Sequence, residues 1–150
     1  MIQMGVCSVY LIASDAPAPN GPWLRDADPH ARVYKIGISQ SPKARLADLQ
    51  TASAGHLTLI RFWGLPSRDY ARHVESEAHR ELSIYRASGE WFFGSLSGAE
   101  DWILAAICEA ASRRWGWSNS HTIAALVAAG YEAGYAQSIV EFFCGERSVA

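Results

Sequence analysis

Ser8-Val9-Tyr10-Leu11-Ile12, followed downstream by Tyr34-Lys35-Ile36-Gly37, decides the fold of this chain. Both stretches are rich in β-branched and aromatic residues, as buried strands are. Val6 to Ala13 reads as a first strand and Arg32 to Ile38 as a second, paired antiparallel. Between them lies Ser14–Ala31, with Pro17, Pro19, Pro22, Pro29 and an Asn20-Gly21 turn signal. That is long for a hairpin connection, which marks it as functional or mobile.

Working outward, Ser41-Pro42 opens a helix: serine suits the N-cap, and proline is harmless in the first turn. Leu46 and Leu49 supply its apolar stripe, and Gly55 ends it. Leu57 to Trp63 reads as a third strand. Ser67 caps a second helix running to about Leu82, with Tyr70, Val74, Ala78 and Leu82 along one face. Gly89 to Phe93 is a short aromatic segment that suits an edge strand. Two Ala-rich helices follow, the first marked by Trp102 to Ala110 and the second by Ile123 to Ile139, with Trp115-Gly116-Trp117-Ser118 as the break. The expectation is an α+β fold: a small three-stranded, mainly antiparallel sheet flanked by helices, with a C-terminal two-helix extension. Residues 1–98 form the expected first domain. Residues 99–150 form a helical extension that packs on it or mediates self-association.

At 150 residues the chain can build a sizeable core, and 49% hydrophobic residues exclude a disordered chain. The net charge of -2 argues against a generally basic nucleic-acid binder. Charge is uneven, however. Arg32 to Arg86 holds nine Lys/Arg against five Asp/Glu, whereas three Arg face six acids from Ala99 onward. A basic middle fits phosphate contact there; ordinary surface charge explains it equally well. Cys7, Cys108 and Cys144 are scattered, with no Cys-x-x-Cys, so zinc knuckles and disulfide frameworks are not indicated. Reduced, buried thiols in a cytoplasmic protein are expected. No stretch reaches the length of a membrane span.

Four residues could converge on phosphodiester chemistry, which needs a base for water, positive charge for the phosphate, and support for the leaving oxygen. Tyr10 could act as base if cationic neighbours or a metal lower its pKa from about 10. Lys35 and Arg45 could clamp phosphate oxygens. Glu75 could hold a divalent metal completed by waters. His79, one helical turn on, could assist proton transfer or fix Glu75. Each also has an ordinary role available, in the core or on the surface. Gln50 could donate to phosphate or base, or cap the helix end. Trp91 could stack on a base or close the sheet. Trp115 and Trp117 are better suited to packing between helices than to stacking on a base.

Taken together and in order, these segments resemble the GIY-YIG nuclease superfamily. They resemble most the phage, plasmid and bacterial branch with a Tyr-Lys-Ile-Gly second motif, often described as a DNA-binding domain. Tyr10 in Ser8-Val9-Tyr10 matches the first catalytic tyrosine; Lys35 stands where other branches have their second. Arg45 with Leu49-Gln50-Thr51-Ala52 matches the arginine helix. Glu75-x-x-Ala78-His79 matches the metal-binding glutamate and its histidine, and Arg86-x-x-Gly89-Glu90-Trp91-Phe92 the closing motif. The resemblance covers about Ser8 to Phe93. It implies an endonuclease dependent on Mg²⁺ or Mn²⁺ and acting on DNA, single- or double-stranded, with RNA less favoured. Tyr10, Lys35, Arg45, Glu75 and His79 would be catalytic, Glu75 the metal ligand, and Tyr34, Lys43, Gln50 and Trp91 nucleic-acid contacts. Three departures stand out: Ser8 replaces the usual glycine, the Ser14–Ala31 loop is long, and an asparagine of other branches has no counterpart, Glu90 occupying the comparable stretch. The alternative is a binding module of the same fold with little activity. Gly130-x-x-x-Gly134 allows close helix approach within the protein or in a homodimer.

Overall fold

The computed structural model describes residues 7–16 and 30–144. Most of the proline-rich stretch, residues 17–29 with its Asn20-Gly21 signal, lies outside the described residues. Among the described residues five strands form one antiparallel sheet: β1 Cys7–Ser14, β2 Arg32–Ser39, β3 Leu57–Leu65, β4 Arg86–Ser88 and β5 Trp91–Gly94. Their order is β3-β1-β2-β5-β4. β1 is buried along its whole length, as its apolar run predicts.

The expected three-stranded sheet is therefore too small. β5 is no edge strand: it pairs with β2 on one side and with β4 on the other. β4 is only Arg86-Ala87-Ser88, too short and polar to show any alternation. It gains its place through a tight turn in which Gly89 adopts φ 59°, a conformation that favours glycine.

Two helices flank the sheet on opposite faces. α1, Pro42–Thr51, is capped by Ser41, whose Oγ accepts from the Ala44 N–H. Its Leu46 and Leu49 pack on Tyr10, Ile12 and Leu57. α2, Arg68–Glu81, is capped by Ser67 in the same way, through the Tyr70 N–H. Its Ala71, Val74 and Ala78 join Val9, Leu11, Ile36 and Trp63 from the other sheet face in the main core.

Among the described residues three helices, not two, follow β5: α3 Leu96–Arg113, α4 Asn119–Ala128 and α5 Ala133–Cys144. The apolar spacing from Ile123 to Ile139 continues at helical period, but the chain breaks at Gly130, φ 105°. There the Tyr131 N–H returns to the Leu126 carbonyl and the Gly130 N–H to Val127, the pattern of a glycine-terminated helix. Gly130 also permits a close approach within the chain, since a Cβ there would meet Arg61 Nη1 at 3.0 Å. Ile103, Ile107, Leu126, Ile139 and Val140 belong to the same core as the sheet. Trp115 stacks on Tyr70 at 4.5 Å and Trp117 on His121 at 4.3 Å, so both indoles pack between elements. Cys7, Cys108 and Cys144 are all buried. No helix among the described residues is long and apolar enough to cross a membrane.

Candidate active site

The site lies where β5 stops. Pairing of β2 with β5 ends at Lys35↔Trp91, so β2 runs on from Ile36 with that edge open. On the α1 face of the sheet, Tyr10 and its β2 partner Gly37 point toward this corner. α2 passes the open edge, and His79 Nε2 meets the Ile36 carbonyl at 2.8 Å. Because the carbonyl can only accept, Nε2 carries the proton, which leaves Nδ1 as the variable nitrogen. The result is a cavity of about 210 Å³ lined by Tyr10, Lys35, Gly37, Arg45, Glu75, His79 and Glu90, with Ile36 and Ile38. Five residues singled out from sequence as catalytic thus converge on one solvent-open pocket. They come from two strands and two helices.

Each is positioned for a physical reason. Tyr10 is 2% exposed, and its ring lies across Gly37, where a Cβ would stand 2.3 Å from the phenolic oxygen. Only glycine leaves that space. Lys35 is 4% exposed, and its Nζ pairs with the Glu90 carboxylate from the β4–β5 turn. Arg45, on the first turn of α1, is exposed, and its guanidinium shares the pocket with the Tyr10 hydroxyl. Glu75 and His79 sit one turn apart on α2, both half-buried, beside the buried Val74 and Ala78 that anchor the helix.

The electrostatics differ from expectation at Tyr10. Burial pushes its pKa above the ordinary value; the Arg45 guanidinium pulls it down, and Glu75 and Glu90 add to the rise. Desolvation outweighs the Arg45 charge because the phenolate would lose most of its water. Glu90 moves the other way. Its hydrogen bond and ion pair with Lys35 hold it below the usual carboxylate range, against a smaller opposing effect of desolvation and with help from His79 and Arg45.

The expected nucleic-acid contacts divide. Tyr34 is 1% exposed and stacks on Phe92 in the main core, so its ring is out of reach of any polymer. It points to the α2 side because it neighbours Lys35 on a strand, where successive side chains alternate. Gln50 is used within the chain: its Nε2 donates to the Gly55 carbonyl at 2.9 Å and its Oε1 accepts from Leu57 N–H at 2.8 Å. That ties the end of α1 to the start of β3. Lys43 is exposed on α1. Trp91 is half-buried on the site face, its ring centroid 6.0 Å from Lys35 Nζ.

Two further residues belong to this face. Glu90 stands in the turn next to Trp91, and the Lys35↔Trp91 register brings it to Lys35. Phe62 is the β3 partner of Tyr10, hence on the same face, and is 39% exposed. The closing motif already contains Glu90, but its pairing with Lys35 and the place of Phe62 follow from strand register.

A family model, the T5orf172 domain, matches residues 9–107. The chain belongs to the T5orf172 domain family. This family is related to the GIY-YIG nucleases. The match spans β1 from Val9, strands β2 to β5 and most of α3, so it includes every residue of the pocket. No curated protein and no solved structure is significantly similar to the chain.

Proposed function

We propose that this T5orf172 domain is a divalent-metal-dependent endonuclease that hydrolyses DNA phosphodiesters, of the branch whose second motif reads Tyr-Lys-Ile-Gly. The observation that carries this reading is the convergence of Tyr10, Lys35, Arg45, Glu75 and His79 on one open pocket.

The donor set fits a hard cation that keeps most of its water. Among the described residues, no group of three or more His, Cys, Asp or Glu is close enough to hold a metal by protein ligands alone. Mg²⁺ commonly binds through one or two carboxylates and waters. Glu90 is engaged with Lys35, which leaves Glu75 as the pocket carboxylate to hold the ion. Bound there, Mg²⁺ or Mn²⁺ would supply positive charge beside the phosphate and offset the upward push of Glu75 on Tyr10.

Within the pocket, Tyr10 Oη is the group that would take the proton from an attacking water, assisted by the Arg45 guanidinium, whose charge favours the ionised form. Lys35 and Arg45 would offset charge on the phosphate oxygens, Arg45 through its planar fork. His79, its Nε2 committed to Ile36, offers Nδ1 for a supporting proton transfer.

The test is incubation of the protein with single- and double-stranded DNA plus Mg²⁺ or Mn²⁺, beside Glu75→Ala. Cutting by wild type alone is expected; no cutting, or equal cutting by both, would sink the proposal. A second reading, a DNA-binding module with little turnover, is favoured by the rise in the Tyr10 pKa and by the Lys35–Glu90 pair. Salt-sensitive, metal-independent binding without cleavage would select it.

A further inference from the structure

The Lys35–Glu90 pair is asymmetric. The Lys35 side chain is 5% exposed and the Glu90 side chain 72%. A buried ammonium without a counter-charge is costly, so Lys35 favours an anion at Nζ. Glu90 has no such need, because water solvates its carboxylate wherever it turns. The turn that carries it is fixed by other contacts: Arg86 Nη1 donates to the Gly89 carbonyl at 2.8 Å, and the Arg86 guanidinium lies 5.0 Å from the Phe92 ring centroid. Release of Glu90 from Lys35 is therefore a side-chain rotation, with no loop movement required.

The charges of the pocket make that rotation consequential. Lys35 and Arg45 are balanced by Glu75 and Glu90, so the cavity as it stands offers a phosphate no net attraction. Glu90 stays ionised well below neutral pH and so competes as a full anion.

We infer that Glu90 holds on Lys35 the place that a substrate phosphate takes, so that nucleic-acid binding at this pocket is an exchange of one anion for another. The inference rests on the proposed reading in that it takes the pocket as a phosphate site. It gives Glu90 a positioning role: the carboxylate holds Lys35 Nζ in the cavity, then yields it. It also sets a threshold on affinity. Phosphate must displace Glu90, which disfavours weak, non-productive contacts.

The experiment is anisotropy titration of a fluorescein-labelled single-stranded oligonucleotide in EDTA, so that no cleavage intervenes. Wild type, Glu90→Gln, Lys35→Met and the double variant are compared, with circular dichroism confirming that each is folded. Glu90→Gln is expected to bind about tenfold tighter than wild type, the size of one charge-assisted hydrogen bond released. The Glu90 substitution should have no effect once Lys35 is methionine. Equal or weaker binding by Glu90→Gln overturns the inference, as does the same gain in the Lys35→Met background, which would reflect bulk charge alone. Failure of every variant to bind at low salt overturns it too. Absence of cutting by wild type with Mg²⁺ would count against the nuclease reading while leaving this exchange intact. Normal cutting with unchanged Glu90→Gln affinity would do the reverse.

Discussion

The phenol ring of Tyr10 rests on the bare backbone of Gly37, its antiparallel partner, so closely that a Cβ would lie 2.3 Å from the hydroxyl oxygen and 2.5 Å from Cζ. This gives the glycine of Tyr34-Lys35-Ile36-Gly37 a physical meaning. Gly37 is not needed for its backbone conformation, since its φ is not positive. It is needed as empty space that lets a buried tyrosine reach the pocket. Gly37→Ala must drive the ring aside. Overpacking of this kind costs about 1–3 kcal/mol, and cleavage should fall more than tenfold. Urea denaturation together with a cleavage assay checks both; a variant that cuts normally would show that the ring position is immaterial.

Tyr10→Phe separates the hydroxyl from the ring. The ring fills the same space, so the thermal midpoint should move little. DNA affinity in EDTA should stay within about twofold, while cleavage drops by roughly 10²–10⁴ if the hydroxyl acts as base. Parallel loss of binding and cutting would instead make Tyr10 a binding group.

Alkaline pH should reveal the buried tyrosines. Burial raises the pKa values of Tyr10, Tyr34 and Tyr131 in the folded chain, and Glu100 adds to the rise at Tyr131. Above about pH 10 the unfolded chain releases these protons and the folded chain retains them, so stability falls with rising pH. The contribution is complete below pH 10 and is lost on the alkaline side. Urea midpoints measured from pH 7 to 11 should be level at first and then decline, and Tyr34→Phe should flatten the decline. Cleavage should rise with pH over the range where the fold persists, because more Tyr10 is then ionised.

Much of this was legible from local chemistry. Ser41 and Ser67 announced their helices, and the run from Ser8 to Ile12 announced a buried strand. The pocket could be read because its residues recur in one order on recognisable elements. What escaped depended on register or on competition between signals. β4 has three residues and no pattern, and it was missed together with the role of Glu90 in the turn beside it. Tyr34 is an expected nucleic-acid contact, yet alternation along β2 sends its ring into the core while Lys35 faces the site. Gly130 ended α4 although the apolar period ran on. A glycine-terminated helix end prevailed there over hydrophobic spacing.

Gln50 tests the division between scaffold and site. Its amide bridges the Gly55 carbonyl and the Leu57 N–H, so both ends are occupied within the chain. Gln50→Ala should cost about 1–2 kcal/mol of stability and leave oligonucleotide affinity unchanged. A loss of affinity without a loss of stability would restore Gln50 as a contact residue.

Glu100 links the sheet to the C-terminal helices. Its Oε1 accepts from Arg61 Nε of β3 at 3.1 Å and from the Tyr131 hydroxyl between α4 and α5. Arg61 also donates to the Ala129 carbonyl at 3.0 Å and lies 4.0 Å from the centre of the Tyr131 ring. The Arg61 and Glu100 side chains are 28% and 24% exposed, so solvent screens the charge only in part. Removing Glu100 leaves the arginine and the phenol short of an acceptor at once. Glu100→Ala should therefore destabilise the chain by about 1–3 kcal/mol. The loss should appear as a single cooperative transition, because α3, α4 and α5 share one core with the sheet. Two separate transitions in urea would instead show that the C-terminal helices unfold apart from it.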